Sequence, residues 1–128
     1  MVHGGPEDNV FDVALSADGN ELEVDTGNGP QGFDLTDIRR VCMEGREGND
    51  RLGGGRGNDE LDAGAGSDTV RGGYGNDMML GGDGNDRLRG FRGVDSMDGG
   101  TGTDIMRGGR GADVDMNPDP ADRVFGMP

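Results

Sequence analysis

The residues best placed to do chemistry in this sequence are aspartates that recur at every ninth position. The series runs without insertion from Asp50 to Asp122, and nearly every member closes a glycine-rich run such as GGDGND at residues 81–86. A carboxylate beside the carbonyl oxygens of glycine backbone offers hard ligands, which suit Ca²⁺ with its ~6–8 oxygen ligands. The spacing therefore indicates a row of cation-binding turns, and Ca²⁺ is the ion that such turns favour.

Aligned on the aspartates, residues 45–125 divide into nine nonapeptides of the pattern G-G-x-G-x-D-x-U-x, in which U is apolar. Glycines at positions 1, 2 and 4 are expected to provide backbone angles that a Cβ atom forbids. The two-residue period of a strand places position 8 inside and positions 7 and 9 outside. The predicted interior consists of Leu52, Leu61, Val70, Met79, Leu88, Met97, Met106 and Val124.

The composition excludes an ordinary globular core. Only 30% of the 128 residues are hydrophobic, 29 are glycine, and none is Trp. The formal net charge is −14, and such an acidic chain repels nucleic acid. One cysteine and one histidine make zinc or copper sites improbable, and Mg²⁺ suits a cage of carbonyl oxygens less well than Ca²⁺ does.

The nonapeptide closely resembles the RTX, or hemolysin-type, calcium-binding repeat, and the resemblance covers about two-thirds of the chain. It implies an all-β fold, a right-handed parallel β-roll with two sheets. Each nonapeptide would supply a six-residue turn and a three-residue strand, two nonapeptides would complete one coil, and several Ca²⁺ ions would lie between stacked turns. It also implies a secreted, extracellular protein, and the first residues, MVHGGPED, show no cleavable signal peptide.

The predicted metal ligands are the aspartates at position 6 together with glycines at position 4 and asparagines at position 5. They are Asp50, Asp59, Asp68, Asp77, Asp86, Asp95, Asp104, Asp113, Asn49, Asn58, Asn76, Asn85, Gly48, Gly57, Gly66, Gly75, Gly84 and Gly102.

Folding and calcium binding are expected to be one event, because one apolar side chain per nonapeptide makes too small a core. Turns 18 residues apart would share an ion, which gives seven aspartate pairs from Asp50 with Asp68 to Asp104 with Asp122. Without cations, carboxylates stacked ~5 Å apart repel one another.

Residues 1–44 are expected to form a short antiparallel β cap over the apolar end of the roll, which would span residues 45–125 and end in a tail, 126–128. Apolar and polar residues alternate on both sides of a turn signal at residues 17–20, which predicts a hairpin within residues 10–24. A second turn is predicted at residues 27–30.

Two of the later repeats are irregular. Phe91 at a glycine position and Val94 at position 5 predict a looser turn before Asp95. Asp115 occupies an inward position, and prolines replace glycines in the last turn, which predicts a fraying end. An alternative is that Asp113, Asp115, Asn117 and Asp119 form a separate calcium loop, because their spacing matches the start of an EF-hand.

The two outer faces are predicted to differ in charge. One carries Arg51, Arg71, Arg87, Arg89, Arg107 and Arg123, and the other carries Glu60, Asp62, Met78, Leu80, Asp98, Val114 and Met116. Both are expected to be solvated faces. The alternative function is an extracellular interaction module whose arginine face binds an acidic polymer or cell surface, with calcium as a purely structural ion.

Other function classes find little support. Segments such as Arg71-Gly72-Gly73 resemble RNA-binding RGG motifs, but the acidic charge and the few aromatic residues oppose that function. Position 3 shows no array of threonines for ice binding. No base lies near the serines, and the single histidine is His3, so no enzyme activity is predicted. No apolar run is long enough to span a membrane, and the oligomeric state is open.

Overall fold

The structure is a computed structural model that describes residues 2–3, 10–15, 21–25, 30–34 and 42–127, with side chains from residue 42 onward. These residues form strands and turns and contain no helix, so none of them belongs to a membrane-spanning helix. The strands are β1 (Val2–His3), β2 (Val10–Leu15), β3 (Glu21–Asp25), β4 (Pro30–Asp34), β5 (Cys42–Glu47), β6 (Arg51–Arg56), β7 (Glu60–Ala65), β8 (Thr69–Tyr74), β9 (Met78–Asp83), β10 (Arg87–Arg92), β11 (Ser96–Thr101), β12 (Ile105–Arg110), β13 (Val114–Asp115) and β14 (Arg123–Phe125).

Successive strands from β5 onward alternate between two sheets. One sheet has the order β1-β5-β7-β9-β11-β13, and the other has the order β14-β12-β10-β8-β6-β2-β3-β4. Strands of the repeats pair in parallel with an offset of 18 residues, as in Leu52 with Val70 and Leu88 with Met106. The parallel two-sheet roll with two nonapeptides per coil is therefore confirmed, and it completes about five coils.

The strands are longer than expected. Strands β6 to β12 each contain six residues, from position 7 of one repeat to position 3 of the next, and the turn contains only positions 4 to 6. Pairing continues through the glycines, as in Gly55 with Gly73, so these residues belong to the ladder. The prediction of a three-residue strand and a six-residue turn is wrong, because glycine at positions 1 and 2 does not end the hydrogen-bonded pairing.

The core is a single file of buried side chains between the sheets. Seven of the eight predicted interior residues, from Leu52 to Met106, have at most 1% of their surface exposed. Val124 is 40% exposed, so its predicted interior position is wrong; it lies on β14, which is an edge strand of its sheet among the described residues. Met127 packs against the core, and Met43, outside the predicted repeats, is also buried in it.

The strands before the roll extend both of its sheets, because β1 pairs in parallel with β5 and β2 to β4 continue the other sheet. Strand β2 pairs in parallel with β6 and antiparallel with β3, which pairs antiparallel with β4. The hairpin predicted within residues 10–24 is confirmed by pairs such as Val13 with Val24. Its turn at residues 17–20, and residues 27–29 and 35–41, lie outside the described residues. The division into cap, roll and tail stays a prediction.

Candidate functional site

Aspartates at position 6 line the two edges of the roll. Eight of them, from Asp50 to Asp113, have at most 3% of their surface exposed. In the repeats with glycine at position 1, the carboxylate reaches back over that glycine, so that a Cβ atom at Gly72 would collide with the carboxylate of Asp77. Gly72 has no positive φ angle. Glycine at position 1 therefore provides space for a carboxylate, and the expectation that it provides an unusual backbone angle is wrong.

Positive φ angles occur at positions 2 and 4 of the repeats, as predicted. Gly73 and Gly75 have φ angles of 121° and 122°, and a Cβ atom at Gly75 would collide with the backbone carbonyl of Gly57 in the preceding coil. Two non-glycine residues adopt the same conformation at position 2, Arg46 with φ 83° and Phe91 with φ 81°. Backbone geometry is therefore uniform from turn to turn even where the sequence departs from glycine.

The sixth repeat illustrates this uniformity. Phe91 pairs in regular register with both neighbouring strands. The amide of Val94 donates to the side-chain oxygen of Asn76 at 2.8 Å, and the carboxylate of Asp95 accepts from the amide of Asp77 at 2.9 Å. The looser turn predicted before Asp95 is therefore absent, because Phe91 takes the backbone angle that glycine takes in other repeats.

Each aspartate is tied to the aspartate 18 residues earlier. The Oδ1 atom of the later residue accepts a hydrogen bond from the amide of the earlier one, over distances between 2.6 and 3.0 Å. The seven stacked pairs predicted from the spacing are all present. They are Asp50–Asp68, Asp59–Asp77, Asp68–Asp86, Asp77–Asp95, Asp86–Asp104, Asp95–Asp113 and Asp104–Asp122.

The second carboxylate oxygen of these residues has a different environment. The atom is buried and accepts no hydrogen bond from the described residues in Asp77, Asp86, Asp95, Asp104, Asp113 and Asp122. A buried charged oxygen without a partner is strongly unfavourable unless a proton or a cation lies beside it. The residues therefore fit a bound cation at each edge of the roll.

The protonation of the central aspartates shows the same shortage of positive charge. Burial, together with the carboxylates of neighbouring coils and against the opposing backbone hydrogen bonds, raises the pKa of Asp77, Asp86 and Asp95 to about 6. Burial also raises the pKa of Asp104. Because neutral pH lies above a pKa of about 6, Asp77, Asp86 and Asp95 are mostly ionised there and repel the carboxylates of neighbouring coils.

The asparagines at position 5 form a second ladder on the exposed side of the turns. The side-chain oxygens of Asn49, Asn58, Asn76 and Asn85 each accept a hydrogen bond from the amide of the residue 18 positions later. These oxygens therefore connect coil to coil. If the asparagines contribute to a metal site, their backbone carbonyls are the available atoms.

The chemistry of the edges suits calcium better than a transition metal. Within the described residues, no three His, Cys, Asp or Glu side chains converge on one point. The position-4 glycines Gly48, Gly57, Gly66, Gly75, Gly84 and Gly102 lie two residues before the aspartates and bring their backbone to the same edges. Backbone carbonyls must then supply many of the ligands, which Ca²⁺ accepts readily.

The EF-hand alternative is contradicted for the described residues 113–119. Asp113 belongs to the stacked edge, where it accepts the amide of Asp95. Asp115 and Asp119 accept local amides from Asn117 and Ala121, two residues ahead of each. Their carboxylates do not converge with that of Asp113 on a common point.

One member of the site was missing from the predicted ligands. Asp122 stacks on Asp104 at 2.9 Å and has a buried, unpartnered Oδ2 atom, although the glycines of its turn are replaced by Pro118 and Pro120. The nine-residue spacing was the signal that included it. The prolines in its turn, by contrast, predicted a fraying end.

Comparison with known sequences adds a family. A sequence model described as the RTX calcium-binding nonapeptide repeat (4 copies) matches residues 44–79, 71–106 and 80–115. Together these matches cover more than half of the chain. No curated protein and no solved structure matches the chain significantly. Repeats of this kind bind Ca²⁺ between stacked turns, where the buried aspartates of this chain lie.

Proposed function

The chain belongs to the RTX calcium-binding nonapeptide repeat family, and we propose that its function is to bind several Ca²⁺ ions cooperatively and to fold as it binds them. The coarser role, a calcium-binding repeat module, follows from the family and the roll. The repeat is structural and non-catalytic, so calcium serves here as a folding ligand.

The observation that carries the proposal is the set of buried, unpartnered Oδ2 atoms from Asp77 to Asp122. Each would cost free energy in a roll without metal, and a Ca²⁺ ion at the edge removes that cost. The small core offers little to offset the cost otherwise. Because the unfolded chain does not hold the turns together, the binding free energy becomes folding free energy.

The proposed ligands are the position-6 carboxylates, now including Asp122, with carbonyl oxygens from positions 4 and 5 of the same turns. When bound, Ca²⁺ supplies positive charge between coils. The chain's own residues hold the turns in register through the aspartate and asparagine hydrogen bonds. Seven ions between seven stacked pairs would offset the formal charge of −14.

We also propose that the protein acts outside the cell. Proteins of this family are typically secreted. A chain that needs calcium to fold would remain unfolded where calcium is scarce and would fold where it is abundant. The interaction module in which calcium is purely structural is not favoured, because the family match and the unpartnered carboxylates both concern the turns.

Circular dichroism during calcium titration tests this proposal. The β signal should rise cooperatively with Ca²⁺, and Mg²⁺ at equal concentration should produce little change. The triple variant D77N/D86N/D95N should need far more calcium, whereas the exposed control E47Q should respond as the unmodified chain does. A full β spectrum in excess chelator at neutral pH would overturn coupled folding.

A further inference from the structure

The two outer faces of the roll have opposite charge. We define the Arg face as the outward side chains of β6, β8, β10, β12 and β14, and the acid face as those of β5, β7, β9, β11 and β13. The strands of the Arg face, RLGGGR, TVRGGY, RLRGFR, IMRGGR and RVF, contain nine arginines and no carboxylate. Those of the acid face contain seven carboxylates and one arginine, Arg46.

The arginines of the Arg face are exposed and lack acidic partners. All nine are solvent-exposed, and none forms an ion pair within the described part of the chain. Several lie over aromatic rings instead, as Arg89 does over Phe91 at 4.2 Å and Arg92 over Tyr74 at 5.3 Å. Such a face, with one sign of charge at the regular strand spacing of ~4.8 Å, has an unsatisfied preference for anions.

The acid face offers anions at matching intervals. Glu47 and Asp83 occupy position 3 on strands β5 and β9, two strands apart in their sheet. On the Arg face, Arg56 and Arg92 at position 3 are also two strands apart, and so are Arg51 and Arg87 at position 7. If the strands of two stacked copies run parallel, the two carboxylates would lie opposite the arginines at position 3. If the strands run antiparallel, the same carboxylates would lie opposite the arginines at position 7.

Apolar side chains accompany the charges on both faces. Tyr74 is 53% exposed on the Arg face, and Met78 is 40% exposed on the acid face. A groove of about 450 Å³ on the Arg face is lined by Tyr74, Phe91, Arg92 and Arg110. Contact between the faces would cover these apolar groups as well as pair the charges.

We infer that the occupant of the Arg face is the acid face of a second copy of this chain. The contact joins two different surfaces, so it is heterologous and leaves one free Arg face and one free acid face on every assembly. Association therefore continues as a stack of rolls. Bound calcium promotes it, because Ca²⁺ reduces the net charge of −14 that keeps copies apart.

The size of the faces sets the strength of the contact. Four strands of six residues and one shorter strand present a face of roughly 20 by 20 Å, which buries about 400 Å² on each partner. This area is well below the ~800 Å² of a stable interface. The association is therefore weak and sensitive to salt.

Sedimentation equilibrium of the full chain in saturating Ca²⁺ tests the inference. Between about 10 µM and about 1 mM protein at low salt, the weight-average mass should rise from the monomer value of 13.3 kDa to roughly twice that value or more. About 0.5 M NaCl should abolish the rise. A monomer at every concentration, or a rise that is insensitive to salt, would overturn the inference.

A pair of variants tests the pairing of the faces. The variants E47Q/D83N and R51Q/R56Q/R87Q/R92Q each lose the regularly spaced charges through which one face would pair, and each should remain monomeric alone. Mixed in equal amounts, they should form a closed one-to-one complex through the two intact faces. Calcium-induced circular dichroism equal to that of the unmodified chain confirms that both variants fold, since all six positions are solvent-exposed and none is a proposed ligand.

Poly-glutamate distinguishes an external partner. If the unmodified chain stays monomeric but binds poly-glutamate, the Arg face serves a separate anionic polymer and the inference fails. If the mixed variants stay monomeric while the unmodified chain associates, the contact uses other surfaces, and the inference fails as well.

Discussion

The middle coils and the last repeat contain the same spacing of aspartates but differ in almost everything else. Asp86 and Asp122 both accept an amide from the aspartate 18 residues earlier, at 2.8 and 2.9 Å. Around Asp86 the strands contain six residues and the core is closed. Around Asp122 the strand β14 has three residues, all of them exposed.

The comparison separates two roles within one nonapeptide. The nine-residue spacing is enough to stack one carboxylate on the next, since the stack persists at Asp122 without glycines in its turn. Closure of the strands over the core needs more than the spacing. A single departure from glycine, such as Phe91, leaves the core closed, whereas the last repeat has no glycine at positions 1, 2 and 4 and ends in the edge strand β14, where Val124 is 40% exposed.

The largest difference between the middle coils and the last repeat is expected in their calcium binding. Replacing Asp86 by asparagine retains an acceptor for the amide of Asp68 but removes a ligand charge between two complete coils. The midpoint of calcium-induced folding should rise about tenfold or more, because ligand charge sets affinity at such sites. The matched variant D122N should shift it by less than about threefold. Titration followed by circular dichroism measures both, and equal shifts would show that the last turn binds as firmly as the middle ones.

Substitutions of apolar residues should also destabilise the middle coils more than the last repeat. Met97 has none of its surface exposed, so Met97→Ala should lower the free energy of unfolding of the calcium-bound roll by ~2–5 kcal/mol. Val124→Ala should cost less than about 1 kcal/mol, because an exposed side chain leaves no cavity. Urea denaturation at fixed calcium provides the comparison. A cost for Val124→Ala as large as that for Met97→Ala would mean that the last strand is buried in solution.

The sequence predicted the repeating middle better than its ends, and the reason is physical. A strict period dictates which residues are equivalent, so the inward apolar residues and the recurring Asp77 and Asp86 followed from the spacing, whereas the 18-residue offset and the two sheets were implied by the resemblance to the RTX repeat. The ends depend on what covers them. Met43 and Met127 pack against the core although neither belongs to a predicted repeat; Met43 lies nine residues before Leu52 and so keeps the register of the inward position, but its segment lacks the aspartate that defined the repeats, and no repeat pattern marks Met127. The identity of the cation was predicted from ligand type, which the fold does not alter.

Acidity should favour the metal-free roll. In the folded chain the pKa values of Asp77, Asp86 and Asp95 are raised from 3.8 to about 6, so the folded state binds more protons than the unfolded state between these values. The contribution of these three groups to the stability of the metal-free roll is fully present below about pH 4, and it is lost as the pH rises through about 6. In metal-free buffer, the β signal should be greater near pH 4 than near pH 7.

Calcium reverses this dependence, because the ligands must be ionised to bind it. The midpoint of calcium-induced folding should therefore increase as the pH falls below about 6.

The control for the metal-free prediction is the variant D77N/D86N/D95N, since it lacks the titrating groups and should show a weaker pH dependence of its metal-free β signal. A metal-free signal that grew as the pH rose would contradict the assigned direction.

The smallest effect concerns Phe91, the non-glycine residue at position 2 of a middle coil. Its φ of 81° is unfavourable for any residue with a Cβ atom, by about 1–2 kcal/mol. Replacement by either Gly or Ala removes the ring that Arg89 covers, so the difference between the two variants isolates the backbone. Phe91→Gly should be more stable than Phe91→Ala by about 1 kcal/mol. At Thr69, in an ordinary strand position, the order should reverse, with Thr69→Ala above Thr69→Gly by about 0.5–1 kcal/mol. Urea denaturation of the four calcium-bound variants measures both differences. The same order at both positions would mean that the sixth turn has relaxed away from the positive φ angle, and that its geometry does not match that of its neighbours.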